Sequence, residues 1–283
     1  MNMKFALAAG VCAAAFAGFS DVTSANTVGY AGVDTLSSGN KLITPMFITV
    51  GSADGTFKLS DLKGDASTYD GETYGDLMLT VLTSGGATAF FTEDDGIPEL
   101  VGKAKQFAWY DTEDQTAGWY DLNGEYVWPA DKITFKAGQG FWTVGYEVRL
   151  TSAGQVSLNE VSVKTLSSGN IAVGNPYPLP IKLSNMFADA TSYDEETYGD
   201  LMLTVLTSGG ATAFFTEEDG ITELIGKAKQ FAWYDTEDQT AGWYDLNGEF
   251  VWPAEKIEFQ IGQGFWTVGY EVILKMQSPV KID

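Results

Sequence analysis

The chain has 283 residues, with 16 Lys plus Arg against 38 Asp plus Glu and no His, so its formal net charge is -22. Too few cations are present to displace nucleic-acid counterions, which argues against a phosphate-backbone partner and against docking on anionic lipid. With no His and a single Cys, Cys12, a Ser-His-Asp or Cys-His nucleophile, a Cys/His zinc site and an internal disulfide are excluded too. Apolar residues make up 45% of the chain, enough to close a packed core.

The first predicted element is a leader. Lys4 is followed by an apolar run from Phe5 to Phe19 and by polar Ser20-Asp21-Val22-Thr23-Ser24-Ala25. The run is shorter than the roughly 20 residues of a membrane-spanning helix. One positive charge, a short apolar stretch and small residues at Thr23 and Ala25 predict a secretory signal peptide, residues 1–25, cleaved near Asn26. Cys12 leaves with it, and Ala9-Gly10-Val11 is a poor lipoprotein signal. The expectation is a secreted or cell-surface protein without integral membrane insertion after cleavage.

An internal repeat dominates the rest. Thr35-Leu36-Ser37-Ser38-Gly39-Asn40 returns as Thr165-Leu166-Ser167-Ser168-Gly169-Asn170, a spacing of 130. Tyr74-Gly75-Asp76 returns as Tyr198-Gly199-Asp200, a spacing of 124, so the first copy carries six extra residues around Val50 to Phe57. From Tyr74 to Leu150 and from Tyr198 to Leu274 the copies differ at about nine positions. Two tandem domains are expected, residues 26–153 and 154–283, each large enough to close its own core.

Within one copy, strand and turn signals alternate. Leu77 to Leu82 reads as a buried strand, Ser84-Gly85-Gly86 as a turn and Ala87 to Thr92 as the return strand. Asp94-Asp95-Gly96-Ile97-Pro98 is a second turn. Gln106 to Asp111 and Gly118 to Asp121 flank an acidic tip as a second hairpin. A turn centred near Gln115 places Tyr110 opposite Tyr120 and Trp109 near Asp121, with Phe107 and Trp109 toward the core. Gly138-Gln139-Gly140 lacks the following helix of a dinucleotide loop and reads as a turn or bulge entering a strand. Phe141 to Leu150 reads as one long strand, with Trp142, Val144, Tyr146, Val148 and Leu150 on its apolar face and Thr143, Gly145, Glu147 and Arg149 on the other. The best helical candidate is Leu183 to Ala190. The fold class is all-β, two antiparallel β-sandwich or small-barrel domains.

Asn170-Ile171-Ala172-Val173-Gly174-Asn175-Pro176-Tyr177 resembles the G-W-N-L-I-G-N-P-Y opening of β-rich domains found in secreted and surface proteins of bacteria. Ala137-Gly138-Gln139-Gly140-Phe141-Trp142-Thr143-Val144 and Ile261-Gly262-Gln263-Gly264-Phe265-Trp266-Thr267-Val268 resemble their closing P-G-x-G-F/Y-W-V strand. The sequence departs from that pattern: Asn40-Lys41 and Asn170-Ile171 stand at the opening Trp-Asn, and the first copy has Thr44-Pro45-Met46-Phe47 at the Asn-Pro-Tyr region. The resemblance implies a surface β-domain and supplies no catalytic residue.

Two constellations carry candidate chemistry. Tyr110, Trp119 and Tyr120 with Asp111 and Asp121, repeated as Tyr234, Trp243 and Tyr244 with Asp235 and Asp245, set aromatic rings beside carboxylates, as a sugar ring requires. The same pattern also suits a cross-strand aromatic pair that stabilises the sheet. Glu93, Asp94 and Asp95 with Glu99, the first three repeated as Glu217, Glu218 and Asp219, form an acidic cluster, and Asp111, Glu113 and Asp114 with Asp121 form another. Clustered carboxylates suit Ca²⁺, but no full ligand loop is present, and a solvated acidic face is the competing reading. No other cofactor is expected. Neither copy offers a distinct acid and nucleophile for glycoside hydrolysis, so the chain reads as no enzyme. Two functions remain: a structural or adhesive surface protein, with self-association as its interaction, or a bivalent carbohydrate-binding protein directed at surface glycans.

Overall fold

The computed structural model describes residues 28–34, 40–65, 77–110, 117–145, 148–165, 170–189, 201–235, 241–269 and 272–279. The predicted leader and Asn26 lie outside them. In the first half the strands are β1 (Val28–Asp34), β2 (Asn40–Ile43), β3 (Thr56–Lys58), β4 (Leu62–Asp65), β5 (Leu77–Thr80), β6 (Gln106–Tyr110), β7 (Gly118–Tyr120), β8 (Thr134–Lys136), β9 (Phe141–Gly145) and β10 (Arg149–Gln155). In the second half they are β11 (Val161–Lys164), β12 (Asn170–Gly174), β13 (Ile181–Lys182), β14 (Met186–Asp189), β15 (Leu201–Thr204), β16 (Gln230–Tyr234), β17 (Gly242–Tyr244), β18 (Glu258–Phe259), β19 (Gly264–Gly269) and β20 (Ile273–Met276).

Each half repeats one topology. A five-stranded antiparallel sheet runs β2-β9-β5-β6-β7, beside a three-stranded sheet β1-β10-β4 and the pair β3-β8. The second half has β12-β19-β15-β16-β17, β11-β20-β14 and β13-β18. The architecture is all-β and sandwich-like, and among the described residues no sheet closes into a barrel. Among the described residues no helix is long and apolar enough to cross a membrane.

Two separate cores form, one per half. Aromatic rings fill both cores, many of them packed edge to face. Phe107 meets Trp128 at 5.3 Å and Phe135 at 5.9 Å, and Phe231 meets Trp252 at 5.1 Å and Phe259 at 5.9 Å. Buried indole N–H groups need acceptors. Trp119 Nε1 therefore donates across to the Leu62 carbonyl at 2.9 Å, and Trp243 Nε1 to that of Met186 at 2.7 Å, tying the five-stranded sheet to the three-stranded one.

Three expected elements differ. The Phe141–Leu150 strand divides into β9 and β10, which belong to different sheets. The buried face changes phase at the break: Phe141 and Thr143 are buried before it, Val148 and Leu150 after it, while Trp142 is half-buried. Thr143 sits inward because its hydroxyl donates to the Lys41 carbonyl at 2.9 Å. Leu183 to Asp189 is no helix, and Ala190 lies outside the described residues: a 3-10 turn at Leu183–Asn185 leads directly into β14. Its apolar residues alternate, with Met186 and Ala188 buried and Phe187 and Asp189 less so. Ala87 to Thr92 forms only isolated bridges, Leu82 to Thr88 and Phe90 to Ala104. The six extra residues of the first half fall in the loop between Thr49 and Thr56, and β10 pairs with β1 through Gln155, past the expected joint at Gly154.

The halves meet along a seam of reciprocal backbone hydrogen bonds. Thr44 N donates to the Gly262 carbonyl at 2.9 Å, and the equivalent Gly174 N donates to the equivalent Gly138 carbonyl at 3.0 Å. Bridges Ile43 to Gln263 and Gln139 to Val173 repeat this reciprocity. The Gly-Gln-Gly motif makes the approach possible. A Cβ at Gly140 would lie 2.9 Å from the Ala172 carbonyl carbon, and one at Gly264 would lie 2.7 Å from that of Leu42. The two-fold relation breaks where Thr44 faces Gly174: a side chain at 174 would collide with the Thr44 hydroxyl.

Candidate functional site

The aromatic hairpin is built as predicted in content but not in register. Ala108 pairs with Tyr120, Trp109 with Trp119 and Tyr110 with Gly118. The second half repeats this as Ala232 with Tyr244, Trp233 with Trp243 and Tyr234 with Gly242. Two causes fix the slip. Trp109 and Trp119 pack edge to face across the pair at 5.2 Å. Asp121 also leaves the strand, and its Oδ1 accepts the N–H groups of Glu125 at 2.9 Å and Tyr126 at 3.1 Å. Asp245 does the same for Glu249 and Phe250.

Tyr110 and Tyr120 share a face as diagonal neighbours, their rings 5.5 Å apart and near perpendicular, as are Tyr234 and Tyr244 at 5.6 Å. They are not open platforms. Tyr110 is 2% exposed and Tyr120 8%, with Tyr234 at 3% and Tyr244 at 9%. The Tyr110 hydroxyl donates to the Leu122 carbonyl at 3.1 Å and that of Tyr234 to Leu246 at 2.9 Å. Trp119 and Trp243 lie in the cores. The rings thus act as the cross-strand pair of the competing reading, which corrects the placement of a stacking surface on them. Asp235 is exposed; Asp111, Glu113 and Asp114 lie outside the described residues.

Glu93, Asp94 and Asp95 form a 3-10 turn ended by Gly96 in the left-handed region, φ 70°, and Glu217, Glu218 and Asp219 form its twin. Asp95 folds back to accept the Thr92 N–H at 2.8 Å and pairs with Lys105 at 2.6 Å; Asp219 accepts the Thr216 N–H at 2.8 Å and pairs with Lys229 at 2.7 Å. Partial burial pushes each carboxyl upward, but the lysine bond and the backbone N–H outweigh it and hold both below the usual carboxylate range. Among the described residues no three acidic groups converge on a cation position.

A cleft beside each of these ion pairs is the most functional-looking concavity the two halves share. In the second half it is about 470 Å³ and includes Phe214, Glu218, Asp219, Lys229, Gln260 and Gln263. In the first half it is about 290 Å³ and includes Asp94, Asp95, Lys105, Thr134 and Gln139. Phe214, 56% exposed, lines the larger cleft, and Phe90 is equally exposed at the equivalent position. Neither phenylalanine stood out in the sequence. The signal was the pair Phe90-Phe91, since adjacent residues in extended chain face opposite ways and one ring must leave the core. No family model, curated protein or solved structure matches this chain.

Proposed function

We propose that the chain is a non-catalytic structural or adhesive protein of the bacterial cell surface or extracellular matrix, exported by a leader removed near Asn26. The observation that carries this reading is the seam. The most motif-like glycines, Gly138-Gln139-Gly140 and Gly262-Gln263-Gly264, serve close backbone approach between two near-identical halves. Such a join favours a fixed two-unit module, as a load-carrying or assembling surface component requires. The acidic surface keeps an exported module soluble. Self-association is its expected interaction, with no nucleic-acid partner.

The test is export from a bacterial host. N-terminal sequencing should find a start near Asn26 and the protein in the surface or extracellular fraction. Exported protein still beginning at Met1, or retention in the cytoplasm, would refute the reading.

A second reading keeps a specific observation in its favour. Exposed Phe214 over a cleft of carboxylates and amides has the makings of a glycan site, and the repeated topology would make binding bivalent. Pull-down on insoluble polysaccharides separates the two. Retention of wild type that Phe90→Ala plus Phe214→Ala abolishes would favour glycan binding, and no retention on any glycan would leave the structural role.

A further inference from the structure

Beside the seam lies a cleft of about 420 Å³, within the usual size range of small-ligand sites, which often lie between domains. Val81 and Leu82 contribute from the first half, and Val163, Ile171 and Ile273 from the second. Lys136 and Lys164 also line it, both exposed. Among the described residues neither forms an ion pair, in a chain with 38 acidic side chains. The cleft is therefore an apolar trough with two available cations.

The equivalent place across the seam is built differently. By the spacings of 130 and 124, Lys164, Ile171 and Ile273 correspond to Asp34, Lys41 and Arg149, and Lys136 to Gln260. There Lys41 Nζ donates to the Asp34 carbonyl at 3.0 Å, and Arg149 reaches the Asp34 carboxylate at 3.9 Å. Arg149 lies against Gly32. Divergence concentrates at the open side. Between Tyr74–Leu150 and Tyr198–Leu274 nine positions differ, and three of them, at Lys136, Ala137 and Ile273, line the cleft. Only seven of the lining residues fall in those stretches, so the cleft diverges far more than the background of nine in 77.

We propose that this cleft binds a small single-chain amphipathic carboxylate, its tail on Val81, Leu82, Ile171 and Ile273 and its head group at Lys136 and Lys164. Apolar burial supplies affinity and the charge-assisted pairs supply head-group selectivity.

The experiment is a calorimetric titration of the leader-free chain with decanoate, with decylammonium as the same tail bearing the opposite charge. Decanoate should saturate one site per chain, and decylammonium should bind at least ~10-fold more weakly. The variants borrow residues the other half already carries: Lys136→Gln with Lys164→Asp, and separately Ile273→Arg. Each should weaken decanoate at least ~10-fold with an unchanged melting temperature, the second by closing the trough. No saturable decanoate binding, equal affinity for decylammonium, or indifference to both variants would overturn the proposal. So would binding to anionic phospholipid vesicles in place of free decanoate, which a chain of charge -22 should not show.

Discussion

The corner after β2 and its counterpart after β12 solve one structural problem with different chemistry. In the second half Tyr177 is fully buried, and its hydroxyl accepts the Val161 N–H at 3.1 Å while lying within hydrogen-bond reach of the Asn159 and Met276 carbonyls. Burial raises the phenol well above its ordinary pKa, outweighing the opposing bond from Val161. Asn175 fixes the approach: its Oδ1 accepts the Tyr177 N–H at 3.0 Å and its Nδ2 donates to the Leu179 carbonyl at 2.8 Å. In the first half these positions hold Pro45 and Phe47, which lack those groups. The backbone closes the corner instead, with Ile48 and Gln155 exchanging two bonds at 3.0 and 2.8 Å. The Phe47 ring packs against Gly29, where a Cβ would sit 2.5 Å from it. A strand topology can thus be held by a side-chain knot or by paired backbone over glycine, and what each half lost in one it kept in the other.

The largest expected effect attacks a seam position where the halves must differ. Gly174→Thr would set two threonines against each other at the seam and should cost about 3 kcal/mol by overpacking, read from chemical denaturation. Adding Thr44→Gly should recover part of that loss, because it restores a single side chain at the contact. No recovery would mean that the clash arises within the second half, against the Gln263 carbonyl 2.5 Å from the added Cβ, and the seam account of Gly174 would fall.

The corner comparison comes next. Tyr177→Phe makes the second half resemble the first without its backbone bridge, and leaves a buried N–H and two carbonyls without the hydroxyl. We expect about 2 kcal/mol of destabilisation. Phe47→Tyr runs the other way and should also destabilise, by about 1 kcal/mol or more, since it buries a hydroxyl where the backbone is already satisfied. If Tyr177→Phe were neutral, the knot would be incidental.

How much of this was legible in sequence follows from the range of each contact. The all-β class, the repeat and the inward direction of Phe107 and Trp109 are local patterns, and they could be read. The Tyr110 and Tyr120 register was missed by two residues because Asp121 was counted into the strand, whereas its carboxylate turns the chain. The split after Gly145 was missed because alternation says nothing about which sheet a strand joins. The meaning of Gly138-Gln139-Gly140 was hidden altogether, since the backbone it approaches lies more than thirty residues onward, at Ala172 and Val173. The clefts beside the Asp95 and Asp219 turns were illegible for the same reason, as the loops forming them meet only in the fold.

Where the halves agree, substitutions should agree too. Asp121→Ala and Asp245→Ala each remove an acceptor from two turn N–H groups, and each should cost about 1 kcal/mol, matched to within about 0.5 kcal/mol. A clear mismatch would show that the two hairpins, alike in every described bond, carry different loads.

The smallest effect concerns the Asp95–Lys105 and Asp219–Lys229 pairs. Both carboxyls titrate below their unfolded value, so the folded state holds the ionised form more strongly than the unfolded chain does. Their contribution is present above the unfolded carboxylate range near pH 4. It is lost as pH falls through the lower folded value. Each side chain in these pairs keeps between 18% and 26% of its surface in solvent, which limits the worth of each pair to about 0.5 kcal/mol. Acid also relieves the repulsion of a chain with 38 acidic residues, so wild-type stability alone would confuse the two effects. The difference between wild type and Asp95→Asn isolates the pair, and the same comparison at Asp219 provides a replicate. That difference should be constant from pH 7 to about 5, shrink as pH falls below the unfolded carboxylate range near pH 4, and shrink at every pH in 0.5 M salt. A difference that ignores both pH and salt would reduce Asp95 to its bond with the Thr92 N–H, which asparagine retains.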